Sequence, residues 1–283
     1  MIRTKITVSL ALAAMLLVGA AVPGLADQGT AAPIYLALGD SWAYGQGAAD
    51  PATDGYAAGL TRALRDDFDC VPAQSENAVD GCARLQLVNL GRPATPTLPG
   101  VTAPLVAAEQ LPYARSWLER NHDANPVNDV RLITLHVGGN DVSGPIQQAC
   151  IDGFDAGCIT TFIAEMTAFA ADLDFVVGDL RAAAGPDVPI VLGTYGNPVP
   201  YCSLSDIPGA IDLGWLVLEG TPDGSLPGVH DIVRITAARY GAAVAEVASD
   251  LGAGDFVGGS DCLHPSGAGH EKVVESFREA LGF

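Results

Sequence analysis

LALGDSWAYG, residues 36–45, is the stretch that decides the fold. Together with the two residues before it, its apolar half predicts a short buried strand over residues 34–38, which stops at Gly39. In a parallel α/β sheet, the residues that follow such a strand lie at the edge where ligands bind. Ser41 is therefore a candidate reactive side chain. The alternative is that Asp40 or Ser41 only caps the next helix.

The second informative stretch is DCLHP, residues 261–265. A serine hydroxyl is a poor nucleophile until a base takes its proton, and a neutral imidazole held by a carboxylate suits that task. Asp261 and His264 are three residues apart, so one turn can point both inward. Pro265 keeps His264 out of the helical region and can begin the following helix. The alternative is that both are surface groups at a helix start.

A third stretch joins these two. Residues 130–137 have the pattern of a strand and end at GGND, residues 138–141. Two glycines let the backbone approach a ligand closely, and Asn140 offers an amide N–H of the kind that an oxyanion needs. The alternative is an ordinary turn. The coincidence of three such stretches, each beside an apolar run, favours a nucleophilic site.

These blocks resemble those of the GDSL, or SGNH, hydrolases: GDS at 39–41, GND at 139–141 and DxxH at 261–264. The resemblance spans nearly the whole chain after residue 26. It implies a three-layer α/β/α sandwich with a flavodoxin-like, mostly parallel five-stranded sheet. It also implies ester hydrolysis through an acyl-enzyme, with Ser41 as nucleophile, His264 as base, Asp261 as its partner and Asn140 as an oxyanion donor.

The remaining block of the family supplies a glycine N–H to the oxyanion hole. Here it resembles VNLGRPAT, residues 88–95. The spacing from Asn89 puts Ala94 where the family has glycine, with Gly91 three residues earlier. A backbone N–H does not require glycine, and Ser41 can contribute its own. The sequence leaves open whether Gly91 or Ala94 lines the hole.

The N-terminal residues 1–26 have the pattern of a secretory signal peptide. Arg3 and Lys5 precede an apolar run over residues 6–22, and small residues then lead to a predicted cleavage after Ala26. An uncleaved membrane anchor is the alternative. We therefore expect a secreted, extracellular protein without stable membrane insertion. Residues 27–283 are predicted to form one SGNH hydrolase-like domain.

The formal charge of −19 argues against partners that are themselves anionic. Neither nucleic acid nor an anionic membrane would gain from a strongly acidic surface. The expected partner is a small-molecule or lipid ester substrate, and the expected assembly state is a monomer. No organic cofactor is required. The cysteine spacings and scattered histidines do not match a zinc site, so no metal is expected.

Six cysteines in an exported chain predict three disulfides. Sequence alone does not choose among the possible connectivities, and we predict sequential pairing as Cys70–Cys82, Cys150–Cys158 and Cys202–Cys262. The third bridge would tie the loop after a late strand to the turn that carries Asp261 and His264. Both loops should lie at the same edge of the sheet.

Strand and helix patterns alternate along the chain, which predicts a mostly parallel sheet covered on both faces. The predicted strands are 34–38, 85–90, 131–137, 188–194 and 243–247. The predicted helices are 55–68, 105–120, 161–184, 229–240 and 266–281. All the candidate site residues fall after strands.

Other polar residues near these blocks have simpler interpretations. His136 lies in an apolar strand and is predicted to be a core histidine. His270 is the rival base, although it falls within the predicted last helix. Asp40 and Asp141 are predicted to cap or to bond turns.

Aromatic residues are ambiguous, because Trp42, Tyr44, Tyr195 and Trp215 could line an acyl pocket or belong to the core. The stretch 196–228 is rich in Pro and Gly and is predicted to be a long irregular segment that covers the substrate. Its apolar content favours an acyl chain, and Trp215 and Leu216 are its candidate contacts.

The predicted function is that of a secreted serine carboxylesterase or lipase. One alternative uses the same site to remove acetyl groups from carbohydrate or cell-wall sugars. A different class of protein, a secreted binding module that kept the fold and lost activity, is less compatible with a complete set of catalytic groups. Activity should fall on the acid side as His264 becomes protonated.

Overall fold

The computed structural model describes residues 33–65, 71–72, 82–83, 85–95, 100–121, 129–150, 153–259 and 261–283. All of them lie in one compact unit, Ala31–Phe283. The predicted signal peptide and Cys70 lie outside the described residues, so the cleavage and the Cys70–Cys82 bridge stay predictions.

A five-stranded parallel sheet forms the centre of the fold. Its strands are β1 (Ile34–Gly39), β2 (Gln86–Asn89), β3 (Val130–His136), β4 (Ile190–Gly193) and β5 (Ala243–Ala245). The strand order is β2-β1-β3-β4-β5, and every neighbouring pair is parallel. This is the flavodoxin-like order, as expected from the sequence. A short antiparallel ladder, Val71–Pro72 with Cys82–Ala83, lies outside this sheet.

Helices cover both faces of the sheet. They are α1 (Ser41–Tyr44), α2 (Pro51–Asp54), α3 (Tyr56–Ala63), α4 (Ala103–Leu105), α5 (Leu111–Arg120), α6 (Gly139–Cys150), α7 (Ala156–Ala184), α8 (Ala210–Glu219), α9 (Val229–Tyr240) and α10 (Gly267–Leu281). A π-helical turn, Val106–Gln110, joins α4 to α5, and 3₁₀ turns occur at Val199–Tyr201, Ser203–Asp206 and Val247–Ser249. Helices α3 and α10 pack together in one layer, whereas α5, α7 and α9 pack together in the other.

The central strands are mainly apolar because both of their faces are covered. Every residue of β1 and of β4 is buried, and β3 has a single half-buried residue. The one polar pair between β1 and β3 is satisfied internally, since the Tyr35 hydroxyl lies 2.8 Å from Thr134 Oγ1. The buried sheet thus gives a rigid base for the loops at its carboxyl edge.

Helix α7 is long and apolar enough to cross a membrane by length and composition alone. It packs against α5, α6 and α9 and buries large side chains such as Phe162, Phe169 and Leu173. One side of α7 thus packs in the core, whereas its other side, with Ile163 and Phe175, is exposed.

The segment 196–228 differs from its prediction. It contains the ten-residue helix α8 and two 3₁₀ turns instead of a wholly irregular loop. Because α8 is apolar on both sides, its sequence lacks the amphipathic period that marks a surface helix. Two glycines with positive φ, Gly209 and Gly220, also bound it and resemble turn residues in the sequence.

Candidate active site

The turn after β1 places Ser41 at the start of helix α1. Gly39 has a φ of +136°, and a Cβ there would lie 2.0 Å from the carbonyl oxygen of His136. Only glycine fits this close approach. The backbone N–H of Asp40 donates to that same carbonyl at 2.9 Å, and the Asp40 carboxyl accepts from the N–H of Trp42 at 2.9 Å. Asp40 therefore caps α1, as predicted, and Ser41 is the first helical residue.

The turn before α10 brings His264 to the same edge of the sheet. Its carbonyl accepts from the N–H of Val257 at 2.9 Å, and Ser266 caps α10 two residues later. The indole Nε1–H of Trp42 donates to the carbonyl of Leu263 at 3.2 Å, which ties α1 directly to this turn. The bridge between Cys202 and Cys262 anchors the turn from the other side, with the two Cα atoms 5.7 Å apart.

Ser41, His264 and Asp261 form a continuous chain of hydrogen bonds. His264 Nε2 lies 2.9 Å from Ser41 Oγ, and His264 Nδ1 lies 2.6 Å from Asp261 Oδ1. Ser41 and His264 are buried, whereas the Asp261 side chain is 38% exposed. An imidazole held in this way can accept the hydroxyl proton while the carboxylate fixes its tautomer.

Asn140 lies in the first turn of α6, directly after β3 and the glycine pair. Gly138 has a φ of +136°, so the chain can turn sharply there. The Asn140 side-chain amide donates to the carbonyl of Val101 at 3.1 Å. Because an amide nitrogen carries two protons, this bond fixes the side chain and leaves a second N–H. Asn140 and Ser41 border the same cavity.

Gly91 and Ala94 have different positions. Ala94 borders the cavity that contains Ser41, and its N–H donates to Gln46 Oε1 at 3.0 Å. The N–H of Gly91 donates to Asn89 Oδ1 at 2.9 Å, and its Cα lies tightly against the backbone of Tyr44. Of these two residues, Ala94 borders the cavity and Gly91 does not, and the Ala94 N–H is held by the Gln46 side chain.

The cavity has a volume of about 400 Å³ and is mainly apolar. One end of it is formed by Ser41, Asn140 and His264, and its walls come from residues 153–154 and 196–218. The apolar side chains of the wall include Phe154, Val199, Leu204, Ile207, Leu213, Val217 and Leu218. This size and lining are typical of a small-molecule site.

The carboxyl of Asp40, the residue before Ser41, is buried. The Tyr195 hydroxyl donates to Asp40 Oδ2 at 2.6 Å. Burial raises the pKa of Asp40 to about 7 against the opposing effect of this hydrogen bond. His230 Nε2 accepts from the N–H of Tyr195 at 3.0 Å, and His230 Nδ1–H donates to Glu219 at 3.0 Å. Hydrogen bonds thus link the end of α8 to the nucleophile turn.

His136 and His270 are both structural. His136 is fully buried, its Nε2–H donates to the carbonyl of Thr194 at 2.9 Å, and burial lowers its pKa to about 3. His270 Nδ1 accepts from the N–H of Tyr56 at 3.3 Å, and its Nε2–H donates to the carbonyl of Gln46 at 3.1 Å. Both nitrogens of the rival base are therefore bonded to backbone, away from Ser41.

The remaining sequence candidates divide cleanly. Trp42 and Tyr195 are buried and also border the cavity, so they belong to core and pocket alike. Trp215 belongs to neither, because it is 41% exposed on the outer side of α8. Asp141 accepts from the N–H of Ala103 at 2.8 Å, in the turn-bonding role predicted for it, and burial raises its pKa to about 6.

Disulfides in the described part of the chain are Cys150–Cys158 and Cys202–Cys262, both as paired from the sequence. Cys150 also borders the cavity. Within the same described residues, no group of three or more His, Cys, Asp or Glu side chains is arranged to hold a metal ion.

Sequence reasoning missed Gln110, which is buried in the π-helical turn. Its side chain contacts the backbone of Gly39, 71 residues away. Glutamine is usually a surface residue, so its type did not suggest burial. The one available signal was its place in an otherwise apolar stripe of the predicted helix 105–120.

Comparison with known proteins shows the family of the chain. Residues 37–272 match the GDSL-like lipase/acylhydrolase family. No protein of curated function matches the sequence significantly.

Solved structures share the fold at low sequence identity. The phospholipase A1 of Streptomyces albidoflavus superposes with a TM-score of 0.54 at 19% identity, covering 88% of this chain and 100% of that one. An extracellular lipase from Streptomyces rimosus superposes with a TM-score of 0.54 at 18% identity, with the same coverage of both chains. An acetylxylan esterase from Geobacillus stearothermophilus gives 0.51 at 15% identity, covering 90% of this chain and 97% of that one. The chain, matched over most of its length, belongs to the GDSL-like lipase/acylhydrolase family.

Proposed function

We propose that this protein is a secreted serine esterase or lipase that hydrolyses carboxylic esters through an acyl-enzyme on Ser41. The observation that carries the proposal is the hydrogen-bonded chain from Ser41 through His264 to Asp261, with distances of 2.9 and 2.6 Å. Family membership supports a hydrolase that acts on esters.

The mechanism follows from the positions of these groups. His264 Nε2 takes the proton of Ser41 as the hydroxyl oxygen attacks the ester carbonyl. Asp261 stabilises the imidazolium that forms. Collapse of the tetrahedral intermediate expels the alcohol, which receives the proton from His264. Water then attacks the acyl-enzyme by the same route and releases the carboxylic acid.

The oxyanion is stabilised by donors on three segments. Ser41 is the first residue of α1, so its N–H has no acceptor within the helix. Asn140 supplies its second amide N–H. Ala94 supplies a backbone N–H once Gln46 has moved aside. The Ser41 and Asn140 donors are in place before the reaction and stabilise developing charge without reorganisation, whereas the Ala94 N–H requires the Gln46 side chain to move first.

The acyl group occupies the apolar part of the cavity. Leu213, Val217 and Leu218 line its wall, and its volume of about 400 Å³ accommodates a hydrocarbon chain. This lining favours esters of medium-chain acids, because it buries a chain and offers a bare sugar few hydrogen-bond partners. Leu213 and Val217 therefore replace Trp215 and Leu216 as the predicted acyl contacts.

A serine-directed fluorophosphonate probe and a panel of aryl esters from acetate to palmitate test the proposal. We expect covalent labelling of the wild-type protein and none of Ser41→Ala. Ser143→Ala removes another serine that borders the cavity and should still be labelled. Ester hydrolysis by Ser41→Ala at near the wild-type rate would refute the assignment. An unlabelled, inactive wild type would instead indicate the binding-module alternative.

The sugar-deacetylase alternative uses the same triad, and its support is the shared fold with an acetylxylan esterase. Acetylated xylan and medium-chain aryl esters separate the two. Preference for the polysaccharide would move the assignment to carbohydrate esters.

Export is the second part of the proposal. Two disulfides, Cys150–Cys158 and Cys202–Cys262, are the structural support, since such bridges persist in oxidising compartments. Expression of the full chain and N-terminal sequencing of the protein in the medium test it. A mature protein that begins at Asp27 is expected, and retention of an intact N-terminus in the membrane fraction would contradict it.

A further inference from the structure

Helix α8 has apolar side chains on both of its sides. Leu213 and Val217 border the cavity, whereas Ile211 and Trp215, one turn apart, are 36% and 41% exposed. A helix with one side in solvent normally carries polar residues there. The only charged residues of α8 are Asp212 and Glu219. Its outer side therefore exposes Ile211 and Trp215 beside Asp212, and neither apolar side chain packs against the core in the described part of the chain.

The same character continues at the opening of the cavity. Phe154, Ile207 and Leu263 border the cavity and are 51%, 40% and 52% exposed. We call Phe154, Ile207, Ile211, Trp215 and Leu263 the apolar rim. Large exposed apolar side chains grouped in this way mark a site of interaction.

The charged residues next in sequence to the apolar rim are aspartates. Phe154, Ile207 and Ile211 each have an exposed aspartate as a sequence neighbour, namely Asp155, Asp206 and Asp212. The chain has no Lys or Arg between Arg181 and Arg234. Such a surface repels anionic headgroups and attracts a cation. In a choline-headed phospholipid, the quaternary ammonium is the outermost group, so its charge complements these carboxylates.

We propose that the apolar rim docks on the surface of choline-headed phospholipid aggregates. There Trp215 and Ile211 insert at the level of the headgroups, as Trp does at membrane interfaces. The cavity opening then faces the lipid and receives one acyl chain from it. This inference rests on the proposed function, which assigns the cavity to an acyl group.

Vesicle binding by the Ser41→Ala protein tests the proposal, because the lipid stays intact. Trp215 is the reporter, because Trp42 is buried and a Trp117→Phe substitution in the same background removes the half-buried tryptophan of α5. We expect a blue shift of tryptophan emission and co-sedimentation with phosphatidylcholine vesicles. At low salt, the affinity for phosphatidylglycerol vesicles should be lower than that for phosphatidylcholine vesicles by about tenfold or more. Ile211→Ser in the same background should weaken phosphatidylcholine binding by about fivefold or more.

The matched control is Phe175→Ser. Phe175 is 61% exposed on α7, about 28 Å along the helix from its first residue, Ala156. This variant should bind phosphatidylcholine as the Ser41→Ala parent does. The double variant Asp206→Asn and Asp212→Asn should have a smaller difference between its affinities for phosphatidylcholine and phosphatidylglycerol vesicles. Thermal unfolding of each variant verifies its folding.

Three outcomes would overturn the docking site. The first is that the protein does not bind phosphatidylcholine vesicles. The second is that Ile211→Ser and Phe175→Ser lower the affinity for these vesicles equally. The third is that the protein forms a dimer without lipid and that Ile211→Ser dissociates this dimer. Hydrolysis of soluble p-nitrophenyl butyrate by the wild type tests the proposed function separately. If the protein hydrolyses the ester but does not bind vesicles, only the docking proposal is refuted. If it binds vesicles but hydrolyses no ester, only the proposed enzymatic function is refuted.

Discussion

The side-chain amide of Gln110 makes two hydrogen bonds to the backbone of Gly39. Its Oε1 accepts from the Gly39 N–H at 2.8 Å, and its Nε2 donates to the Gly39 carbonyl at 2.7 Å. Gly39 is the last residue of β1, two residues before Ser41. The π-helical turn places Gln110 beside the strand end, and such turns often occur at functional sites.

Gln110→Met tests this contact, because it keeps the length of the side chain and removes both bonds. A buried N–H and carbonyl left unpaired should cost about 2–5 kcal/mol of unfolding free energy. Turnover should fall as well, since the nucleophile turn loses a fixed point. Urea unfolding and aryl-ester kinetics measure both effects. Glu109→Gln, at an exposed position in the same turn, is the control, and an equal loss in that variant would remove the special role of Gln110.

Asn140→Ala tests the oxyanion assignment. Removal of one donor should lower kcat by about 100- to 1000-fold, because the bond is strongest in the transition state. KM should change little for the same reason. A rise in KM with unchanged kcat would mean that Asn140 binds substrate and does not stabilise the oxyanion.

Asp40→Asn tests the effect of the buried carboxyl on stability. The pKa of Asp40 is raised to about 7 in the folded protein from its ordinary value of 3.8. The folded state therefore holds a proton that the unfolded state has lost between these two values, and stability falls as pH rises through this window. Asparagine does not titrate, and its side chain can still accept from the N–H of Trp42.

Between pH 5 and 7 the wild type should lose about 2–3 kcal/mol relative to Asp40→Asn. Urea unfolding of both proteins at the two pH values measures the difference. Parallel stability curves would show that the Asp40 carboxyl does not titrate in this window.

The two described disulfides should contribute unequally to stability. Cys202–Cys262 closes a loop with a sequence separation of 60, whereas Cys150–Cys158 closes one of 8. The loop-entropy estimate gives about 4 kcal/mol for the first and about 2.5 kcal/mol for the second. Paired Cys→Ser variants and urea unfolding compare them. Only loss of Cys202–Cys262 should also lower kcat, because Asp261 adjoins it, and equal kinetics in both variants would contradict that link.

Val217→Trp tests the acyl pocket. Val217 borders the cavity and is almost fully buried, so an indole there should fill the space of the distal acyl chain. We expect kcat/KM for octanoate esters to fall by about tenfold or more, with acetate esters much less affected. Ile235→Trp adds the same ring at an exposed position on α9 and should keep the wild-type ratio. Equal losses of kcat/KM for octanoate and acetate esters would show that the acyl chain binds elsewhere.

Local patterns were sufficient for the architecture. The buried strands are continuous apolar runs, and Gly39 and Gly138 mark sharp turns that side chains would obstruct. A parallel sheet brings the carboxyl ends of its strands to one edge, so Ser41 and Asn140 could be placed together from sequence order alone. The order of the motifs then indicated the triad with His264.

The limits of that reasoning appear in the long-range contacts. Helix α8 was not predicted, because its apolar residues face two directions. Trp215 was a candidate contact of the acyl chain, although it is exposed. The pairing of Tyr195 with Asp40 joins residues 155 positions apart, and no periodicity predicts it.

The sequence by itself determined the parallel sheet, the nucleophile turn and the residues able to form a triad, because these depend on short-range patterning and on glycine stereochemistry. The tertiary structure alone decided how far each group lies from its neighbours, which side of α8 meets the cavity and which carboxyl has its pKa raised by burial. Those properties depend on packing between segments that are distant in the chain, and burial and hydrogen-bond geometry do not exist until that packing has formed.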